Sequence, residues 1–88
     1  MSTLHIFSKP LSHYCNNMLA NLITAQDKVL LVSDACYNNM QFKQFSSCLY
    51  LLEEDTTARD ISLNKEDIVI DYTQFVEMTL NAQNTITW

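Results

Sequence analysis

The run Val29-Leu30-Leu31-Val32, set between Lys28 and Ser33-Asp34, constrains the fold most. Every position in it is apolar, so neither of its sides suits water. Four residues are too few for a buried helix, which leaves a strand covered on both faces. Strands of that kind belong to parallel sheets sandwiched between helices. Three further short segments fit beside it: residues 4–7 ("LHIF"), 48–52 ("CLYLL") and 68–70 ("IVI"). A last strand is expected at residues 85–88, where alternation puts Ile86 and Trp88 on one face and Thr85 and Thr87 on the other.

The stretches between these strands read as helical or irregular. Pro10 followed by Ser12 is a helix-entry signal. Cys15, Met18, Leu19, Leu22 and Ile23 then recur at helical spacing, so the spacing predicts a helix over residues 12–25 with Ser12 as its N-cap and Cys15 on its apolar face. "ACYNNMQFKQF" reads as a second helix or an irregular segment, "EEDTTARD" as a short polar helix or turn, and "ISLNKED" as a loop. A final helix starts at Tyr72, with Asp71 as N-cap and Tyr72, Phe75, Val76 and Thr79 sharing about one face, Met78 near its edge. The predicted fold is therefore a single small three-layer α/β/α domain over residues 1–88 with a mostly parallel sheet.

A chain of 88 residues buries only about two-thirds of its unfolded surface. Yet 48% of this one is hydrophobic and only 17% is charged. Apolar surface beyond what a small core absorbs favours an obligate partner. The net charge of −5 is uneven: from Glu53 onward eight carboxylates face only Arg59 and Lys65. Such a surface repels phosphate, which argues against direct nucleic-acid binding and suits a basic protein partner, or simply a solvated acidic face. The first residues hold no apolar segment of signal-peptide length, and no stretch approaches the roughly 20 apolar residues that span a bilayer. Three cysteines at irregular spacing make no disulfide framework, so reduced thiols and a cytoplasmic location are expected. With no glycine in the chain, phosphate-cradling loops and dinucleotide fingerprints are excluded.

Among residues that could carry chemistry, Cys36 stands out because it lies just past the carboxyl end of the 29–32 strand, where ligands collect in parallel sheets. A thiol there could serve as a nucleophile or persulfide carrier. Against this, Asp34 is a neighbouring negative charge, and Lys43 is the nearest base in sequence. Cys15 and Cys48 read as small core residues. His13, Cys15, Cys36 and Cys48 lack the paired spacing of a metal site, and His5 reads as a satisfied or half-exposed strand histidine. No catalytic residue, metal or cofactor is therefore assigned, and Cys36 remains the persulfide candidate of an alternative reading. Trp88 and Ile86 are candidate interface residues, because a tryptophan too costly to leave loose is a common anchor at subunit contacts.

The segments "TLHIFSKPLS", "KVLLVSDACY", "LYLLEEDTTARD" and "DIVIDYTQFVEMT", closed by Trp88, together resemble the TusB/DsrH family over nearly the whole chain. The most specific parts are Leu4-His5, the strand ending in Asp34, Ala58-Arg59, and Asp71-Tyr72 with Phe75-Val76 and Thr79. The resemblance implies a DsrE-like fold and a place in a hetero-oligomer with homologous TusC-like and TusD-like subunits. It further implies a relay of persulfide sulfur, through a downstream acceptor protein, toward 2-thiouridine at the tRNA wobble position, or a DsrH-like role in sulfur oxidation. In the family the main sulfur-carrying cysteine belongs to the TusD/DsrE subunit. The first-helix cysteine of DsrH-type members maps to about Leu19, one turn from Cys15. Ala35 and Asp60 stand where relatives often have glycine, and Ile86 where they often have glutamine.

Overall fold

The structure, a computed structural model, describes residues 3–46, 49–63 and 65–88. Five strands form one sheet: β1 (Thr3–Phe7), β2 (Lys28–Leu31), β3 (Leu49–Leu52), β4 (Ile68–Ile70) and β5 (Asn84–Thr87). Their order is β4-β3-β2-β1-β5, and every pairing is parallel. The α/β class with a parallel sheet is thus what the sequence predicts; the expected strand start at Cys48 lies outside the described residues. Val29, Leu30 and Leu31 are fully buried at the centre of the sheet, as an uninterrupted apolar run requires.

Four α-helices connect the strands: α1 (Asn16–Leu22), α2 (Asn39–Phe42), α3 (Glu53–Ala58) and α4 (Tyr72–Asn81). The chain steps from β1 to β4 in one direction and then returns to β5 beside β1. Since parallel crossovers are right-handed, the reversal sends α4 to the opposite face from the earlier helices. The packing agrees. Leu19 of α1 and Phe42 of α2 join Phe7, Val29, Leu31, Leu49 and Leu51 on one face. Phe75 and Met78 of α4 cover Leu4, Ile6, Leu30 and Ile70 on the other.

One local expectation is corrected. The predicted helix over residues 12–25 is broken: a 3-10 turn (Leu11–His13) is followed by extended Tyr14 and Cys15, and α1 begins only at Asn16. Tyr14 leaves the helical path because its ring meets Phe7 edge-on, with centroids 5.2 Å apart. Its hydroxyl also accepts the Lys9 N–H at 3.2 Å. Ser12 is consequently no N-cap. The break also resets the phase of the helix, so Leu19 and Ile23 point inward while Cys15, expected in the core, is exposed.

The segment after β2, read from sequence as a second helix or an irregular stretch, is a 3-10 helix (Ser33–Asn38) running into the single turn of α2. By contrast Asp71 caps α4 as expected, in a reciprocal box: its Oδ1 accepts the Gln74 N–H at 2.8 Å while Gln74 Oε1 accepts the Asp71 N–H at 3.0 Å. The last strand runs one residue earlier than predicted, yet the Trp88 N–H still donates to the Ile6 carbonyl at 2.9 Å.

Candidate functional site

At the carboxyl ends of β2 and β3 the chain makes a turn that needs outside support. Ser33 adopts the left-handed region, with φ of 53°. That conformation costs a residue with a Cβ about 1 kcal/mol or more. A charge-assisted hydrogen bond offsets the cost, since the Ser33 N–H donates to Asp55 Oδ2 at 2.8 Å. Asp55 sits in the first turn of α3, where the helix dipole also favours a carboxylate. Arg59, one turn on, binds three groups: its Nη1 donates to Asp55 at 3.2 Å, its Nε to Asp34 at 3.1 Å and its Nη2 to Ser33 Oγ at 3.4 Å. The guanidinium also lies 6.0 Å from the centroid of the Tyr37 ring.

Cys36 sits beneath this cluster and is fully buried. Its Sγ–H donates to the Leu31 carbonyl at 3.4 Å. Burial pushes the thiol up to about 12; the Asp55 charge adds to the rise, and Arg59 opposes it without cancelling it. A thiol so placed keeps its proton at neutral pH. The site thus holds a sheltered, protonated sulfur and no ready nucleophile. Arg59 is the residue that a search near Cys36 in sequence misses, since it comes from the next crossover. Its pairing with Asp55 follows helical spacing, but its reach to Asp34 has no sequence signal.

Among the described residues the exposed thiol is Cys15, beside an open depression of about 780 Å³ whose lining includes Leu11, Tyr14, Met40, Gln41 and Gln44. Of the described residues lining that depression, none is ionisable other than Tyr14 and Cys15 itself. Among the described residues no three His, Cys, Asp or Glu side chains come together in a way that could hold a metal ion.

The second candidate region is the β5 edge. Ile86 lies opposite His5 in the register and is 40% exposed. Trp88 is half-buried against the β1 side chains of the same face. Its ring lies parallel to Phe7, 5.7 Å away, and Tyr14 meets it edge-on at 6.4 Å. The indole Nε1–H donates to His5 Nδ1 at 3.1 Å. Because indole only donates, Nδ1 must be the unprotonated nitrogen, and the proton of the neutral ring sits on Nε2. That nitrogen is 2.9 Å from Asp27 Oδ2 and donates to it.

Asp27 also accepts the backbone N–H groups of Thr3 and Thr24, each at 3.1 Å. Burial by itself pushes this carboxyl up, but the hydrogen bonds from His5, Thr24 and Thr3 outweigh it and hold it at about 2. His5 is therefore a fully satisfied strand histidine, and the line Asp27–His5–Trp88 fastens the terminal segment to β1. Trp88 and Ile86, paired in sequence by alternation, do share a face. The roles of His5 and Asp27 in holding them are visible only in the fold.

No helix among the described residues is long and apolar enough to cross a membrane. Comparison with known proteins shows what the chain is similar to. The family model described as "DsrH like protein" matches residues 10–85. Protein TusB of Yersinia enterocolitica is 28% identical over 86 residues, covering 86% of this chain and 90% of that protein. Proteins TusB of Yersinia pestis and Yersinia pseudotuberculosis are each 27% identical over the same shares. The matched span runs from the 3-10 turn into β5, taking in both the Ser33–Arg59 cluster and the helix α4, and the chain belongs to the TusB/DsrH family of DsrH-like proteins.

Proposed function

We propose that this chain is a non-catalytic subunit of a cytoplasmic sulfur-relay hetero-oligomer of the TusBCD type. Homologous TusC-like and TusD-like subunits carry the persulfide, and a downstream acceptor protein takes it toward 2-thiouridine at the tRNA wobble position. Family membership supports the relay, and the state of Cys36 supports the non-catalytic role. Persulfide transfer needs a thiolate that reaches the donor sulfur. Cys36 is buried under the Ser33–Arg59 cluster, with its proton held on the Leu31 carbonyl. The contribution of the chain is then to complete the assembly and shape its docking surface, with Trp88 and Ile86 on the β5 edge as contact residues. The acidic half of the chain, eight carboxylates against Arg59 and Lys65, leaves tRNA contact to other proteins.

Cys36→Ser tests the assignment, because serine keeps a donor for the Leu31 carbonyl. Wild-type levels of wobble thiolation are expected when the variant replaces the native chain in the assembled complex. Loss of thiolation, together with a persulfide on Cys36 detected by mass spectrometry of the wild type, would overturn the proposal in favour of direct sulfur carriage by this chain.

A further inference from the structure

Helix α4 carries more apolar surface than the sheet beneath it uses. Phe75, Met78 and Ala82 pack onto the sheet, but no residue of the helix is fully buried. Tyr72, Val76 and Leu80, one turn apart, form a stripe along its flank and are 51%, 54% and 77% exposed. Helical spacing puts this stripe on the flank away from Met78 and Asn81, which line a small cleft with Lys28. The stripe offers on the order of 300–400 Å² of apolar surface, the size of patch that is often functional on a small protein. It supplies about half of the roughly 800 Å² that each side of a standard interface contributes. The rest must come from its polar rim.

The charges that this part of the chain itself carries are of one sign. From Glu66 to Trp88 the sequence holds Glu66, Asp67, Asp71 and Glu77 and no Lys, Arg or His. Lys43 pairs with Glu66 and Asp67, and the charges that α4 itself brings are Asp71 at its head and Glu77, next to Val76 in sequence. A second copy of this chain docking by its own stripe, in two-fold symmetry about Val76, would bring Glu77 against Glu77. A different subunit with an apolar patch edged by lysine or arginine meets the same surface with attraction. Anionic lipid and nucleic acid are repelled.

We infer that the Tyr72–Val76–Leu80 stripe of α4 docks a second, different protein subunit whose facing surface is apolar and rimmed with basic residues. The inference rests on the hetero-oligomeric reading above and names the face through which this chain joins it. It is separate from the Trp88 edge, which lies on the opposite face of the sheet.

The test is co-expression of the full tagged chain with its homologous relay subunits. In Val76→Gln/Leu80→Gln the recovery of those subunits is expected to fall about tenfold or more, as for loss of a central anchor. The melting temperature of the chain should move by no more than a few degrees, because both positions are solvent-facing. Glu77→Lys should weaken recovery at low salt and much less at high salt, where the rim charges are screened. Wild-type recovery by the double variant overturns the docking surface while leaving the relay reading intact. A wild-type chain that recovers no partner overturns both. A large loss of melting temperature in the double variant places the stripe in the core and removes the inference. A homodimer that the same substitutions dissociate replaces the basic partner with a second copy, which also overturns it.

Discussion

The two faces of the sheet are built from the same kind of strand and end up in opposite states. One is sealed: Phe7, Val29, Leu31, Leu49 and Leu51 lie under Leu19, Phe42 and Cys36, and all eight are fully buried. The other is covered by α4 alone among the described helices, and its cluster reduces to Leu4, Ile6, Leu30 and Ile70 with half-buried Phe75 and Met78 above them. The difference comes from connectivity. Three successive crossovers in one direction stack their turns and helices on one side, and a single return crossover must cover the other. A domain of this size closes one face completely and leaves the second short of cover, which is where excess apolar surface accumulates. The sealed face supplies stability and the open face is free for contact.

The largest expected effect tests the sealed side. Phe7 stacks on Trp88 and touches both Tyr14 and Phe42. Phe7→Ala should cost about 3–5 kcal/mol, enough to unfold a domain of marginal stability. Val76→Ala on the open side should cost less than about 1 kcal/mol. Comparable losses in denaturant melts of the two variants would erase the distinction between the faces.

A smaller effect is expected from acid, and it probes the seam where the sealed face meets the β5 edge. Asp27 titrates at about 2 in the folded chain and near 3.8 in its absence. A depressed carboxyl means that the native state binds fewer protons than the unfolded one, so stability rises with pH across this interval. The contribution of Asp27 is complete above about pH 4 and is lost as pH falls toward 2. In Asp27→Asn this segment of the pH–stability profile should flatten, and Trp88, the one tryptophan in the chain, reports it by fluorescence. An unchanged profile would show that the Asp27–His5–Trp88 line does not hold the edge. Deleting residues 85–88 should remove the same fastening, lowering the melting temperature and weakening assembly together.

The smallest effect is a gain. Asp60 occupies the left-handed position, φ of 50°, that ends α3. The Asp60 and Ile61 N–H groups donate to the Thr57 and Thr56 carbonyls in the reverse turn usual for glycine. Asp60→Gly should stabilise the chain by about 0.5–1 kcal/mol, because glycine takes this conformation without a Cβ penalty. A loss of stability would mean that the Asp60 side chain makes a contribution larger than its backbone strain.

Some of this is legible in the sequence alone. The unbroken run at residues 29–32, the alternation in the last four residues and the Asp71 cap are local patterns; the cap appears at its predicted place, and the two strands form one residue earlier than predicted. Local patterns survive because hydrogen-bond geometry and side-chain direction repeat within a strand or helix. The failures share a cause too. Residues 12–25 carry helical spacing, but the ring of Tyr14 gains more from Phe7 than the backbone gains from one continuous helix. That preference belongs to the pair, and half of the pair lies in another element.

The candidate sites divide along the same line. Sequence alone placed Cys36 at the carboxyl end of a central strand and put Ile86 and Trp88 on one face. It determined as well that the second half of the chain is acidic. Only the tertiary structure decided that Cys36 is sealed, because the burial of a thiol depends on what the next crossover lays over it. Only the tertiary structure brought Arg59 to Asp34 and Asp55, or set His5 between Asp27 and Trp88 across β1 and β5. Parallel pairing joins residues that the chain separates by a whole helix. The sequence therefore determines which groups are available, and the order of the strands decides which of them meet.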